Sequence, residues 1–257
     1  MPPSSHGNRL GGLVQRECQA AAAALAVDGD LHAGVHEARK AIRRARSLLA
    51  LAAPALDVEG TDNALRRIGD SLGALRDAHV VAATAARVGD QSDDPAWVHA
   101  AQALDRRADR LLRRELATDA GFARRRRAIG RAARQLESLP WDELAGTDIR
   151  DGVHRHRRGA DAGASPAGRN PQREHLPRWR GRVRRLRMQL DALDALRIRS
   201  AGHDPVASKR LHHLSDELGR RQDLAMLAEV LLRLRTLERR RQLVAHIEHD
   251  GTRQAMH

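Results

Sequence analysis

Apolar residues recur at three- and four-residue spacing along most of the chain, which is the spacing of one face of an α-helix. No stretch alternates apolar and polar residues over the length of a strand. The sequence therefore predicts an all-α fold. The predicted helices cover residues 10–27, 31–53, 61–89, 95–117, 121–138, 174–199, 205–235 and 236–249.

Two segments lack this periodicity. Residues 1–8 are polar and rich in proline and serine, so we expect a disordered N-terminus. Glycine, proline and serine are frequent in residues 159–171, a composition typical of a linker. We expect residues 9–250, with this linker inside them, to form one domain.

A two-part pattern occurs twice within that domain. A basic stretch, 36–46 in the first copy and 178–187 in the second, precedes a motif of leucine, glycine and aspartate. The first and last residues of the motif are 12 positions apart in both copies, Leu65 and Asp77 in the first and Leu211 and Asp223 in the second. The sequence predicts two repeats, about 9–118 and 119–250, whose basic helices face one another across a pseudo-twofold axis. Together they would form one shared positive groove.

On a helical wheel, the first basic stretch has an apolar stripe bordered on one side by a line of cations. The stripe consists of Val35, Ala38, Ile42, Ala45 and Leu49. The bordering line consists of His36, Arg39, Arg43 and Arg46, whereas Lys40 lies further round the helix.

The second basic stretch repeats this arrangement. Its arginines 180, 184 and 187 take the positions of arginines 39, 43 and 46. We predict that Trp179, Val183 and Leu190 are buried and that Arg180 and Arg184 reach the groove. Arginines beside an apolar stripe commonly extend into solvent, and one copy alone would fit that interpretation. The same one-sided line in both copies favours a binding site, with predicted residues His36, Arg39, Lys40, Arg43, Arg46, Arg180, Arg184 and Arg187.

Charge restricts the class of partner. The 257 residues include 46 basic and 33 acidic ones, a formal net charge of +13, and every basic residue except Lys40 and Lys209 is arginine. Abundant arginine can reflect a GC-rich genome, but it also suits recognition of phosphate. A chain this positive is expected to bind a polyanion: nucleic acid, anionic lipid or a phosphate polymer. Base stacking needs aromatic side chains, and there are no tyrosines, one phenylalanine and three tryptophans.

The other candidate residues give little indication of catalysis or metal binding. Cys18 is the only cysteine, which excludes an intrachain disulfide and a cysteine-based zinc site. Nothing beside His36 would orient it as a nucleophile or general acid, because Glu37 lies on another helix face. Four motif aspartates could hold a metal, but pairing with arginine or capping of helix junctions at Gly73 and Gly219 is the favoured interpretation; these are Asp70, Asp77, Asp216 and Asp223. We therefore predict no catalytic residue, metal or cofactor.

Two further stretches bear on partners and location. The apolar run 20–27 is too short to cross a bilayer, so we expect no membrane partner and a cytoplasmic location. The arginine run 124–127 lies outside the repeat and is expected to contribute only to the general positive field.

The segment from Val35 to Arg46, followed by Leu72-Gly73-Ala74-Leu75-Arg76-Asp77, resembles the CHAD domain, the conserved histidine α-helical domain. Residues 178–187, followed by Leu218-Gly219-Arg220-Arg221-Gln222-Asp223, resemble that family's second repeat. The likeness extends from about residue 10 to residue 249. It implies two four-helix bundles around a pseudo-twofold axis and a basic groove that binds inorganic polyphosphate, with polyphosphate granules as a candidate location. Some members are fused to a triphosphate tunnel metalloenzyme domain, whereas this chain is expected to stand alone.

The resemblance also assigns residues. The family histidine matches His36, and the basic positions match Arg39, Lys40, Arg43 and Arg46, then Arg180, Arg184 and Arg187. Pro177 and Gly181 replace the histidine and lysine of the second repeat, which would weaken or rearrange that half of the site. The expected function is non-enzymatic polyphosphate binding. The alternatives are sequence-independent nucleic-acid binding and a phosphoryl-transfer or polyphosphate-cleaving enzyme.

Overall fold

The structure is all α, as the periodicity predicts. The computed structural model describes residues 5–26, 29–167, 175–198, 205–235 and 237–254, with the backbone alone for 163–167, 175–176, 205–208 and 250–254. These residues form ten α-helices and short 3-10 helices at Ala120–Phe122 and Trp141–Glu143, and they include no strand. The helices are α1 His6–Ala24, α2 Leu31–Ala52, α3 Glu59–Ser71, α4 Gly73–Gly89, α5 Ala96–Thr118, α6 Ala123–Glu137, α7 Gly146–Ala167, α8 His175–Leu196, α9 Pro205–Arg233 and α10 Arg240–Gln254.

Several predicted boundaries are wrong; the helix predicted at 236–249, for example, is Arg240–Gln254. Helix α1 begins at His6 because the Ser5 hydroxyl accepts a hydrogen bond from the Asn8 amide, at 3.1 Å, and caps the first turn. Residues 6–8, which were expected to be disordered, are therefore helical, and residues 1–4 lie outside the described part of the chain. The predicted helix 61–89 is divided at Leu72, whose amide donates to the Gly69 carbonyl at 3.3 Å in a tightened last turn.

Helix α7 was not predicted, and it includes residues 159–167 of the expected linker. Residues 168–171 of that linker lie outside the described ranges. The buried residues Ile149, Val153 and Ala160 recur at helical spacing along α7. Alanine, the strongest helix former, occupies four of the eight positions from 160 to 167 and offsets the glycine at 163.

The helices divide into two compact units. Unit 1 contains α1, α2, α3, α6, α7, α8 and the part of α9 that ends at Asp216. Unit 2 contains α4, α5, the part of α9 from Glu217 onward, and α10. These units do not coincide with the two sequence repeats, because each unit takes helices from both.

In unit 1, α2 packs against α1, α3, α7 and α8. The predicted apolar stripe of α2 is confirmed: Val35, Ala38, Ile42, Ala45 and Leu49 are all at most 2% exposed. On α8, Val183 and Leu190 are buried as predicted. Trp179, near the start of α8, is half-buried rather than buried, and its indole Nε1 donates to the Ala160 carbonyl at 3.1 Å.

The core of unit 2 forms around Trp97 of α5, which is 1% exposed. It packs with Leu227 and Leu231 of α9 and with Leu243 of α10, and its ring meets His246 edge to face at 5.7 Å between centroids. Unit 2 is thus held by apolar residues that come from both sequence repeats. Among the described residues, no helix combines the length and the hydropathy that a membrane span needs.

Candidate functional site

The two basic helices, α2 and α8, pack directly on one another in unit 1. The Ser47 hydroxyl of α2 donates to the Arg185 carbonyl of α8 at 3.0 Å, and the Gln189 side-chain amide donates to the Ser47 carbonyl at 2.9 Å. Both side chains are buried, so these bonds fix the register of the two helices in a water-excluded contact. The sequence prediction that these helices face one another is confirmed. A common cleft for their cations stays a prediction.

The predicted site residues of α2 are all half-buried, and the protein's own groups hold several of them. Arg39 donates from Nη1 to the Gly69 carbonyl, and Arg43 donates from Nε to the Arg39 carbonyl at 3.4 Å. The guanidinium of Arg46 donates two hydrogen bonds, of 2.8 and 3.0 Å, to the Asp62 carboxylate. Lys40 pairs with Glu37 at 3.0 Å, and this bond lowers the pKa of the Glu37 carboxyl. His36 also lies half-buried on this helix.

The predicted residues of α8 have similar surroundings. Arg180 and Arg184 are half-buried, and each interacts with other groups of the protein. Arg187 donates from Nη1 to Asp216 at 3.1 Å, and its side chain is 23% exposed. Arg46 and Arg187, which are equivalent positions in the two repeats, therefore both pair with a carboxylate. The structure places the predicted cations on two adjoining helices, and it gives them internal partners that the sequence did not predict.

An open pocket of about 410 Å³ lies at the C-terminal end of α2 in unit 1. Arg46 and Arg185 line it from the two basic helices, together with the carboxylates of Asp57, Glu59 and Asp62. Its mixed charge distinguishes it from the wholly basic groove that the sequence predicts.

The family model of the CHAD domain matches residues 14–232, which is most of the chain. This chain belongs to the CHAD domain family. The solved structure of the CHAD domain from the plant Ricinus communis is similar to this chain, with a TM-score of 0.73 and 18% sequence identity. The likeness covers 98% of this chain and 88% of the plant chain, and it shows a shared fold. A comparison with curated proteins finds no match.

Three of the four motif aspartates of this CHAD domain, Asp77, Asp216 and Asp223, pair with arginines, as the sequence favours. Asp216 holds Arg187, and in unit 2 the guanidinium of Arg76 lies 3.0 Å from Asp77 and 3.5 Å from Asp223. Asp77 and Asp223 are equivalent positions in the two repeats, so one arginine joins both copies of the motif. Sequence analysis assigned no role to Arg76, although its position immediately before the motif aspartate was a signal. The described part of the chain contains no group of metal-binding residues.

The one cysteine of this CHAD domain is chemically inert at neutral pH. Burial raises the pKa of Cys18 to about 12, and the charge of Glu17 adds to the effect. The thiol therefore stays protonated and is a poor nucleophile.

His156 of α7 makes the stability of this CHAD domain depend on pH. Burial, followed by the charges of Arg185 and Arg155, lowers the pKa of His156 below its ordinary value of 6.5. As the pH falls below about 6.5, the unfolded chain takes up this proton before the folded one, so folding stability decreases until the lower folded pKa is reached. We expect His156→Gln to flatten the fall in unfolding free energy between pH 7.5 and pH 5, measured by urea denaturation. The matched control is exposed His213→Gln; an equal flattening in this variant would contradict the assignment.

Proposed function

We propose that this CHAD domain binds inorganic polyphosphate, without catalysing a reaction, along the cations of α2 and α8. The observation that carries the proposal is the direct packing of these two helices, each with its line of arginines. The family supports the choice of ligand, because CHAD domains are associated with polyphosphate-related proteins. The proposed contacts are His36, Arg39, Lys40, Arg43, Arg46, Arg180, Arg184 and Arg187.

Internal hydrogen bonds prepare these arginines for an anion. A half-buried guanidinium that is held by a carbonyl, as Arg39 is held by Gly69, has lost much of its side-chain freedom before the ligand arrives. A guanidinium carries five N–H donors, so one bond to a carbonyl does not use up its capacity for phosphate. Arg46 and Arg187 would share their donors between a carboxylate and the ligand. They should therefore contribute less than Arg39, Arg43, Arg180 and Arg184.

We also propose that a pseudo-twofold axis relates the two repeats. Within unit 1 the equivalent helices α2 and α8 meet, and within unit 2 the equivalent residues Asp77 and Asp223 meet at Arg76. A twofold relation between the repeats would account for both the α2–α8 contact and the contact of Asp77 and Asp223 with Arg76. It would also place the two cation lines on a shared ligand.

Sequence-independent nucleic-acid binding is the second candidate, favoured by the net charge of +13. Of the few aromatic side chains, Trp97, Phe122 and Trp141 are buried and Trp179 is half-buried, which leaves little surface for base stacking. Competition between polyphosphate and single-stranded DNA of equal charge separates the two functions. A preference for DNA would overturn the polyphosphate assignment.

Polyphosphate binding is expected to weaken steeply as salt concentration rises, because each phosphate that a cation neutralises releases a counterion. If all seven predicted lysine and arginine contacts form, the slope of log K against log salt should be about −5, taking about −0.7 per contact as for single strands. Isothermal calorimetry with long-chain polyphosphate would measure this slope over a salt range of about 50–300 mM, which brackets physiological ionic strength. A nearly flat dependence would exclude this site, and phosphate release in the presence of a divalent metal would show an enzyme instead.

A further inference from the structure

Helix α6 carries a line of arginines on its outer side. The helix contains six arginines, and its one acidic residue is Glu137 at the C-terminal end. Its buried residues Ile129, Ala132 and Leu136 pack toward α1 and α3. On a helical wheel, three exposed arginines lie roughly 140–200° from Ile129, on the opposite side of the helix; these are Arg127, Arg131 and Arg134.

The charges of these three arginines are not neutralised by a neighbour. Within the described part of the chain, Arg127, Arg131 and Arg134 form no ion pair. On α2, in contrast, Lys40 is paired with Glu37 and Arg46 with Asp62. From the sequence, the run 124–127 was expected to contribute only to the general field, yet these three arginines of α6 are more exposed than the cations of α2.

Helix α5 shows what an ordinary solvated face looks like in this chain. It also carries three exposed arginines at positions i, i+4 and i+7, namely Arg106, Arg110 and Arg113. Three acidic residues lie on the same helix, Asp105, Asp109 and Glu115. Helix α5 has five arginines against three acidic residues over 23 residues, whereas α6 has six arginines against one acidic residue over 15, so α6 is the more strongly positive helix.

The α6 line is separate from the cations of α2. Helix α6 packs on α1 and α3, and both of these helices pack on α2. Since the α6 arginines lie opposite the face that meets α1 and α3, they point away from α2. Unit 1 thus presents positive charge on two different sides.

We propose that the outer face of α6 is a second polyphosphate site, through which one CHAD domain joins two polyphosphate chains. The choice of ligand rests on the proposed function. From Arg127 to Arg134 the line is about 10 Å long, and a flexible thread can follow all of it along the helix axis. A rigid duplex would touch such a helix at fewer points, and the line offers no aromatic side chain on which a base could stack.

The chemistry of the site is simple charge-assisted hydrogen bonding. Each guanidinium presents a planar pair of N–H groups that matches two non-bridging oxygens of a phosphate. Exposed contacts of this kind are individually weak. Three in one line hold the same chain, so their effects combine through a high effective concentration. Joining two chains would cross-link polyphosphate into a network.

A capture assay tests the proposal. Polyphosphate attached to beads through one end is loaded with the full chain and washed, and fluorescent polyphosphate is then added. The test variant carries Arg127→Gln, Arg131→Gln and Arg134→Gln, and the control carries Arg106→Gln, Arg110→Gln and Arg113→Gln. Both variants lose three positive charges at the same helical spacing, and glutamine is a good helix former, so circular dichroism should show that both fold.

We expect the test variant to load onto the beads within about twofold of the unsubstituted protein, and to capture at least about tenfold less labelled polyphosphate, because its second site is lost. The control variant should load and capture as the unsubstituted protein does. Equal capture by the test variant, or an equal loss in the control, would overturn the proposal.

Two further results separate the inference from the function on which it rests. If the unsubstituted protein loads onto the beads but captures no second chain, the α6 site is wrong and polyphosphate binding stands. If it does not load at all, polyphosphate binding is wrong and the α6 assignment falls with it. Capture of labelled duplex DNA in place of polyphosphate, lost only in the test variant, would reassign the face to nucleic acid.

Discussion

Replacing Arg43 or Arg184 by alanine is expected to weaken polyphosphate binding by about 1.5–3 kcal/mol each, if each guanidinium makes a charged hydrogen bond to the ligand. That is a loss of about 10- to 150-fold in affinity, which calorimetry can measure. The two residues occupy equivalent positions on α2 and α8, so they test both halves of the site. Each substitution should also flatten the salt slope by somewhat less than one unit.

The control for this experiment is Arg106→Ala with Arg110→Ala, on the exposed face of α5 in unit 2. This double substitution removes more charge than either single one, yet it should lower affinity only through the general field. If it cost as much as Arg184→Ala, binding would be diffuse attraction, and the site on α2 and α8 would not exist. A double variant of Arg43 and Arg184 should lose about the sum of the two effects if the contacts are independent.

Trp97→Ala is expected to destabilise unit 2 by about 3–5 kcal/mol, because it removes the largest buried side chain of that core and leaves a cavity. Unfolding by urea, followed by circular dichroism, would measure the loss. The neighbouring Val98 is 54% exposed and provides a control in the same turn of α5. Val98→Ala should change the unfolding free energy by less than about 0.5 kcal/mol. Similar losses in the two variants would contradict the packing described for α5.

Polyphosphate binding in the Trp97→Ala variant adds a second readout. The proposed site lies on α2 and α8 of unit 1, whereas Trp97 belongs to unit 2. Below the unfolding transition, we expect the affinity for polyphosphate to remain within about threefold of the unsubstituted value, less than one contact is worth. A larger loss would show that the site depends on unit 2.

The sequence predicted the helices of this chain better than their ends. Buried positions at three- and four-residue spacing identified α2 correctly, because Val35, Ile42 and Leu49 must share one face. Glycine and proline in residues 159–171 concealed the end of α7, since local composition does not show that Val153 and Ala160 find a partner helix elsewhere in the chain. Tertiary packing, which supplies most of a helix's stability, decided the outcome there.

For the proposed site, the sequence identified equivalent arginines in the two repeats but not their internal partners. The repeated spacing identified Arg46 and Arg187 as equivalent, and both are held by carboxylates in the structure. The partners themselves follow no common spacing: Asp62 is 16 residues from Arg46, and Asp216 is 29 from Arg187. Only the folded chain shows which aspartate reaches which arginine. The exposure of a side chain likewise depends on tertiary packing, so the sequence did not predict the exposed arginines on the outer face of α6.

The alternation of the chain between two units limits how early the protein can fold during synthesis. Unit 1 begins with α1 to α3, but its remaining helices are not complete until Asp216 has been made. At roughly 5–20 residues per second, the ribosome needs about 7–30 s to travel from residue 73 to residue 216. Until Leu196 has been made, the apolar stripe of α2 lacks the complete α8, and throughout this time α4 and α5 lack the end of α9 and α10. The nascent chain therefore emerges from the ribosome while both cores are incomplete. During synthesis, rather than after release, a chaperone that binds unfolded chains has the most apolar surface to protect.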